Sequence, residues 1–484
     1  MIKRYFILVA CIALLLFSCK KDDPVIDNPD PGNEPTNNEK YVNEWIYDNM
    51  SILYLWNTNI PRRCNYELHP EEFFESLLYN RGMITGDRFS WIQENYVEML
   101  DMLSGVTPYD IGFEYVGYLI NATDVIGQIA YVKPDTDAEK IGLKRGDYFT
   151  KVNGTTLNTT NWRNLLSGNE TSVIITFYDI NTGVTTDKPV KKIANYAENP
   201  VFFDKVYEKD GHKIGYLVYN FFASGTNDKN FIYIYDEKLN DAFGRFKSAG
   251  ITELVLDLRY NSGGSMNSAT LLGSMIVPDL DTNNIFTKLE YNSLIQMVLT
   301  MEYGEDVFLD KLRDKLETGE AINNVGNTIQ SLYVLTGNWT ASASELIINN
   351  LEPYMPDKIF LIGTTTVGKN VGSVSIYEED DPKNKWGMLP IILRYFNKDG
   401  KADFLSGFAP NIEERDNGDK LPLGDPDEVM LKIAIDHITG NYVPTRSVRS
   451  WDSGRILAGL SIEQRAWAGK TIVDNSLLKK LHIR

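Results

Sequence analysis

The chain has few cysteines, few histidines, no excess of positive charge and one long apolar run. Its three cysteines are Cys11, Cys19 and Cys64, and none forms a C-x-x-C pair. A structural zinc site and a disulfide framework are therefore not expected. The four histidines are His69, His212, His437 and His482. None sits in a Gly- or Ser-rich turn of the kind that presents catalytic groups, so the usual general base of nucleophilic catalysis is missing. Lys and Arg number 48 against 66 Asp and Glu, for a net charge of −18. That balance argues against non-specific nucleic-acid binding and against attraction to an anionic membrane surface. No glycine pattern has phosphate-loop or dinucleotide spacing, and neither a cofactor nor a metal is expected.

The apolar run is Tyr5–Phe17, preceded by Lys3 and Arg4. It has the length of a signal-peptide core and is short for a membrane span. It ends Leu16-Phe-Ser-Cys19, which resembles the lipobox of bacterial lipoproteins. The resemblance implies cleavage before Cys19, a lipid on its thiol and a lipid-anchored place in the cell envelope. Membrane contact is expected through that anchor only. Lys20-Lys-Asp-Asp23 resembles surface-export signals of some Bacteroidota lipoproteins. Cys64 alone would then remain as a free thiol.

The 484 residues suggest about three domains at roughly 150 residues each. Residues 1–18 read as signal peptide, and 19–40, rich in Asp, Asn, Pro and Glu, as a disordered tether. Residues 41–105 carry helical spacing, and Asp87-Arg-Phe-Ser-Trp91 reads as a loop. From 106 to 185 short strands surround one small helix, with Asn153-Gly154 as a hairpin turn. This order resembles a PDZ domain. Gly112 and Phe113 would then mark the loop that takes a peptide carboxylate, beside a strand that pairs with the peptide. Residues 186–445 alternate strands and helices, which argues for an α/β domain with a mostly parallel sheet. Residues 446–484 carry no readable motif.

Two segments of that domain hold the chemistry. In Leu332–Lys369 a strand breaks at Gly337, Ala341-Ser-Ala-Ser344 opens a helix, and the strand Ile359–Ile362 leads to Gly368-Lys369. A serine at a strand-to-helix turn has an exposed hydroxyl and a helix N-terminus behind it. Lysine replaces histidine as base when burial favours its neutral form. Ser342 and Lys369 are accordingly the candidate nucleophile and base. Ser342-Ala-Ser-Glu345 also matches a capping box, which would make Ser342 a helix cap. In the second segment, Asp257-Leu-Arg-Tyr-Asn-Ser-Gly-Gly264, two glycines follow a buried strand. Their N–H groups could face a carbonyl oxygen as an oxyanion hole.

Together these segments, with Gly407-Phe-Ala-Pro-Asn411 and Gly424-Asp-Pro-Asp427, resemble the carboxy-terminal processing (tail-specific) serine peptidases over about residues 41–440. The resemblance implies a crotonase/ClpP-like catalytic domain, a Ser–Lys dyad and polypeptide substrates, often presented by their C-termini. It selects Ser342 over Ser344 and Lys369 as base, with oxyanion donors on Ala343 and on Gly263 or Gly264. Where the family often has a lysine-orienting glutamine, this chain has Ser373. A non-catalytic peptide-binding envelope lipoprotein and an acyl-CoA enzyme of crotonase type are the competing expectations.

Overall fold

The computed structural model describes residues 37–226, 228–416, 420–444, 457–464, 468–469 and 471–473. The signal segment 1–18, Cys19, most of the tether and much of 446–484 lie outside the described residues. Five strands run parallel in the order His212–Tyr219, Glu253–Asp257, Ser331–Thr336, Ile359–Gly363 and Ile412–Glu413, and Val201–Lys209 joins the first antiparallel. Glu253–Asp257 is buried at every position, as a strand covered on both faces must be. Its side chains alternate. Leu254 and Leu256 pack into the cluster that holds Phe243, Phe246 and Leu346. Val255 faces Tyr333, Met430 and Ala434 on the opposite side.

Helices flank this sheet. Ile234–Ala249 buries Leu239, Ala242, Phe243 and Phe246 at helical spacing and ends at Gly250, in the left-handed conformation. Met266–Ile276 and Ala343–Leu351 start at the ends of parallel strands, and Val429–Ile438 covers the second face.

A second six-stranded sheet has the order Gly264–Ser265, Thr471–Ile472, Val371–Ser373, Ile391–Phe396, Ile285–Tyr291, Leu309–Lys311. An antiparallel sheet has the order Leu457–Leu460, Phe113–Leu119, Val125–Val132, Tyr148–Val152, Ser172–Tyr178, Thr185–Lys191. Its core is aromatic, built on Phe113, Tyr115, Phe149, Trp162 and Phe177. The Asn153-Gly154 turn joins Val152 to Thr155, both turn residues having positive φ. The N-terminal helices Asn37–Leu53 and Pro70–Ser76 share a cluster with Val371, Trp386 and Ile391 of the α/β part.

Two features differ from the sequence reading. The apolar pattern predicts one strand over Val374–Tyr377, whereas the structure has Val371–Ser373 just before it and only Ile376–Tyr377 within it, in different sheets. The unreadable C-terminal stretch supplies a strand to each of two sheets.

Candidate active site

Ser342 sits between the strand Ser331–Thr336 and the helix Ala343–Leu351 with φ 62° and ψ −115°. Positive φ in a residue with a Cβ costs on the order of 1–3 kcal/mol and clusters at functional turns. The turn is held on both sides. Thr340 Oγ1 donates to the Leu258 carbonyl (2.7 Å) and accepts from the Gly337 N–H (2.8 Å). The neighbouring hydroxyl of Ser344 donates to the Asn261 carbonyl at 3.0 Å, a structural bond.

Glu345, one turn into the helix, is fully buried. One carboxylate oxygen accepts the N–H of Ser342 (2.8 Å) and of Lys369 (2.8 Å). The other accepts the N–H of Gly368 (2.6 Å) and Thr366 Oγ1 (2.6 Å). Burial pushes this carboxyl up, against the pull of those four donors. One side chain therefore holds the backbones of Ser342 and Lys369, 27 residues apart in sequence, in a single place.

Lys369 follows Gly368, whose φ is 84° and where a Cβ would lie 2.2 Å from the Leu405 carbonyl oxygen. Only glycine fits that turn, which sends the lysine inward. The Lys369 side chain is buried, its Nζ donates to the Gly469 carbonyl (2.7 Å) and it lies 5.0 Å from the centre of the Phe89 ring. Arg88 donates to the Gly368 carbonyl at 2.6 Å. The Tyr395 hydroxyl donates to the Lys369 carbonyl and lies 3.4 Å from that of Ser342.

Of the two glycines read as oxyanion donors, Gly263 gives its N–H to Asn261 Oδ1 (2.9 Å), so that donor is engaged within its own turn. Gly264 (φ 132°) lies so close to Phe222 that a Cβ would stand 2.0 Å from its carbonyl oxygen. Ala343 opens the helix, where N–H groups lack intrahelical partners. The Ser373 hydroxyl is buried and makes no hydrogen bond among the described residues, so it does not orient the lysine through one there.

The family model for peptidase family S41 matches residues 213–414, and that for the peptidase S41 N-terminal domain matches residues 41–91. The chain belongs to peptidase family S41. It is 25% identical over 324 residues to the carboxy-terminal processing protease CtpA of Bacillus subtilis, covering 65% of this chain and 59% of that protein. It is 24% identical over 294 residues to a CtpA-like serine protease of Staphylococcus epidermidis, covering 59% of this chain and 50% of the other. The chain thus spans between half and three-fifths of the length of these curated relatives. A solved structure described as an S41 protease of Bacteroides fragilis superposes with a TM-score of 0.65 at 28% identity, over 86% of this chain and all of the other.

In this S41 chain the turn read as a carboxylate loop is already engaged. The Gly112 N–H donates to Asp110 Oδ1 at 2.7 Å, and Phe113 is buried opposite Val132. Beneath it Lys133 pairs with Asp110 (2.7 Å), Glu114 (2.8 Å) and Glu198 (2.9 Å). Another buried network ties this sheet to the α/β part. Arg145 pairs with Asp416 at 2.5 Å, and Arg259 with Asp257 (2.8 Å) and Glu428 (2.6 Å).

Sequence reasoning saw Glu345 only as a capping residue, and missed Arg88, Phe89, Tyr395 and Asn261. The S-x-x-E spacing was the one local signal for Glu345. Asn261 lies in the turn of Gly263 and Gly264, and Arg88, Phe89 and Tyr395 meet the site only through tertiary contacts.

Proposed function

We propose that the chain is a serine endopeptidase in which Ser342 is the nucleophile and Lys369 the general base. The observation that carries this reading is the Glu345 carboxylate, which holds the backbone N–H groups of both residues. The Asn261 bond of Ser344 supports the choice of Ser342.

In the reaction, neutral Lys369 takes the proton of Ser342 Oγ while that oxygen bonds to the scissile carbonyl carbon. The Ala343 and Gly264 N–H groups stabilise the oxyanion, each worth roughly 2.7–4 kcal/mol of barrier. Lys369 then returns the proton to the leaving amine as the C–N bond breaks. Water, deprotonated by the same lysine, hydrolyses the acyl-serine ester. Residues 186–445 form the catalytic body of crotonase/ClpP-like type, with 106–185 as a PDZ-like domain that presents C-termini and 41–105 as a helical segment. Lipid on Cys19 would anchor the enzyme to the cell envelope.

Ser342→Ala and Lys369→Ala should each lower turnover of an unfolded polypeptide by about 10³-fold or more with unchanged circular dichroism. Ser344→Ala should cost about tenfold or less, since it removes one structural bond. Wild-type turnover by Ser342→Ala would refute the assignment. A binding-only protein is the competing reading, prompted by Ser373, whose hydroxyl has no partner among the described residues. Absence of fluorophosphonate labelling at Ser342, with peptide binding retained, would favour it.

A further inference from the structure

Resting on the peptidase reading, we propose that the described C-terminal residues 457–464, 468–469 and 471–473 form a tethered pseudosubstrate. It occupies in cis both the peptide-pairing edge and the catalytic cleft, and an extended polypeptide has to displace it.

The first contact is with the strand Phe113–Leu119. Leu457 lies opposite Tyr118, Gly459 opposite Gly117 and Leu460 opposite Val116, antiparallel. The segment therefore runs toward the Ile111-Gly112-Phe113 turn, the direction in which a pairing peptide would bring its C-terminus. Ser461 Oγ accepts the Tyr115 N–H at 2.8 Å and donates to Glu114, completing the edge. A groove of about 280 Å³ remains open beyond this point, beside Ile111, Phe113, Tyr115 and Leu166.

Further contacts lie toward the catalytic side. Glu463 pairs with Arg163 (2.9 Å) and accepts from the indole N–H of Trp339, three residues before Ser342. The second contact lies in the cleft. The Gly469 N–H donates to the Ser262 carbonyl (2.8 Å), and its carbonyl accepts from Lys369 Nζ (2.7 Å). Thr471 pairs with Gly264, and Ile472 pairs with both Ser265 and Ser373. Val473 N–H donates to the Ser373 carbonyl at 2.9 Å. A turn at Gly469 (φ 62°) thus puts its carbonyl oxygen on the lysine, and the two-residue strand Thr471–Ile472 lies between the candidate oxyanion strand and the strand that follows the lysine. Leu460, Ile462 and Val473 are buried and anchor it.

The test uses the full-length chain with Leu460→Asp and Ile462→Asp together. A parallel form carries a specific protease site inserted within residues 446–452, so that the folded chain can be nicked and its C-terminal piece exchanged. Release should raise turnover of unfolded polypeptide, and the rate of fluorophosphonate labelling, at least tenfold over wild type. A synthetic peptide of residues 457–473 should restore the wild-type rate. In the Ser342→Ala background, which cannot hydrolyse, the nicked chain should exchange its piece for a fluorescent copy of that peptide. Unchanged or lower turnover in a folded released form, with no rescue by peptide, would overturn the proposal. So would absence of exchange in the nicked chain. Exchange without hydrolysis in any form would leave the pseudosubstrate standing and sink the peptidase reading instead.

Discussion

At the scale of single residues, Glu345 combines a local and a long-range role. Each of its oxygens faces two donors. A glutamine has the same shape but must turn its amide N–H₂ toward one of those donor pairs. Glu345→Gln should therefore cost about 1–3 kcal/mol in urea unfolding, the penalty of leaving buried donors unmatched. It should also slow labelling of Ser342, because the turn and the lysine lose their common anchor; an unchanged labelling rate would contradict this role. The residues of the proposed dyad stand out in the sequence for a related reason. Ser342 and Lys369 lie in turns built by small residues and glycine, and such turns are visible in one dimension. Arg88, Phe89 and Tyr395 carry no such mark. Arg88 reaches Gly368 across 280 residues of chain, a contact fixed by packing of the N-terminal segment rather than by any local pattern.

At the scale of elements, the helix Ile234–Ala249 gives a test of buried charge. Asp236 in its first turn is buried, and burial pushes its carboxyl up to about 6, against hydrogen bonds from Ser224 and Ser268. The folded chain thus holds a proton that the unfolded chain releases near pH 4. Stability linked to this group is present below that pH and lost as pH rises through 6. Asp236→Asn should abolish that loss. The stability of the variant relative to wild type should grow by about 2–3 kcal/mol between pH 4 and pH 7, read from urea midpoints at each pH. A flat difference would show the carboxyl to be unperturbed. The parallel strands and their helices could be read because burial on both faces forces continuous apolar runs, as in Leu254–Leu256. Ile285–Tyr291 and Ser293–Tyr303 were not read. In the first, intermediate and buried positions mix, and the second buries only Ile295 and Leu299, so neither stands out by period.

At the scale of the molecule, Arg145 joins two sheets distant in sequence. Its guanidinium donates to the Ala130 and Leu421 carbonyls and pairs with Asp416, which approaches Arg259 as well. Removing one partner of a buried ion pair leaves charge uncompensated, at a cost of roughly 3–5 kcal/mol. Arg145→Met should lower stability by about that amount; a loss under about 1 kcal/mol would mean that Asp416 is satisfied by Lys420 and water. The C-terminal strands were illegible because they are four and two residues long and take their shape from the edges that they join. Nothing in 446–484 by itself announces a strand.

The double seat proposed for the C-terminal strands Leu457–Leu460 and Thr471–Ile472 sets how the molecule should respond to concentration. A ligand joined to its own receptor by a short chain competes at an effective concentration in the millimolar range. A free peptide with intrinsic micromolar affinity then meets a protein whose binding-competent fraction is small, and its apparent affinity is weakened by that fraction. Short peptides would bind poorly however well their side chains fit. A long unfolded chain, able to take the open groove beside Ile111 first and the cleft second, would gain by holding both at once. Selectivity for unfolded over small substrates would then come from the tether, with no pocket dedicated to it.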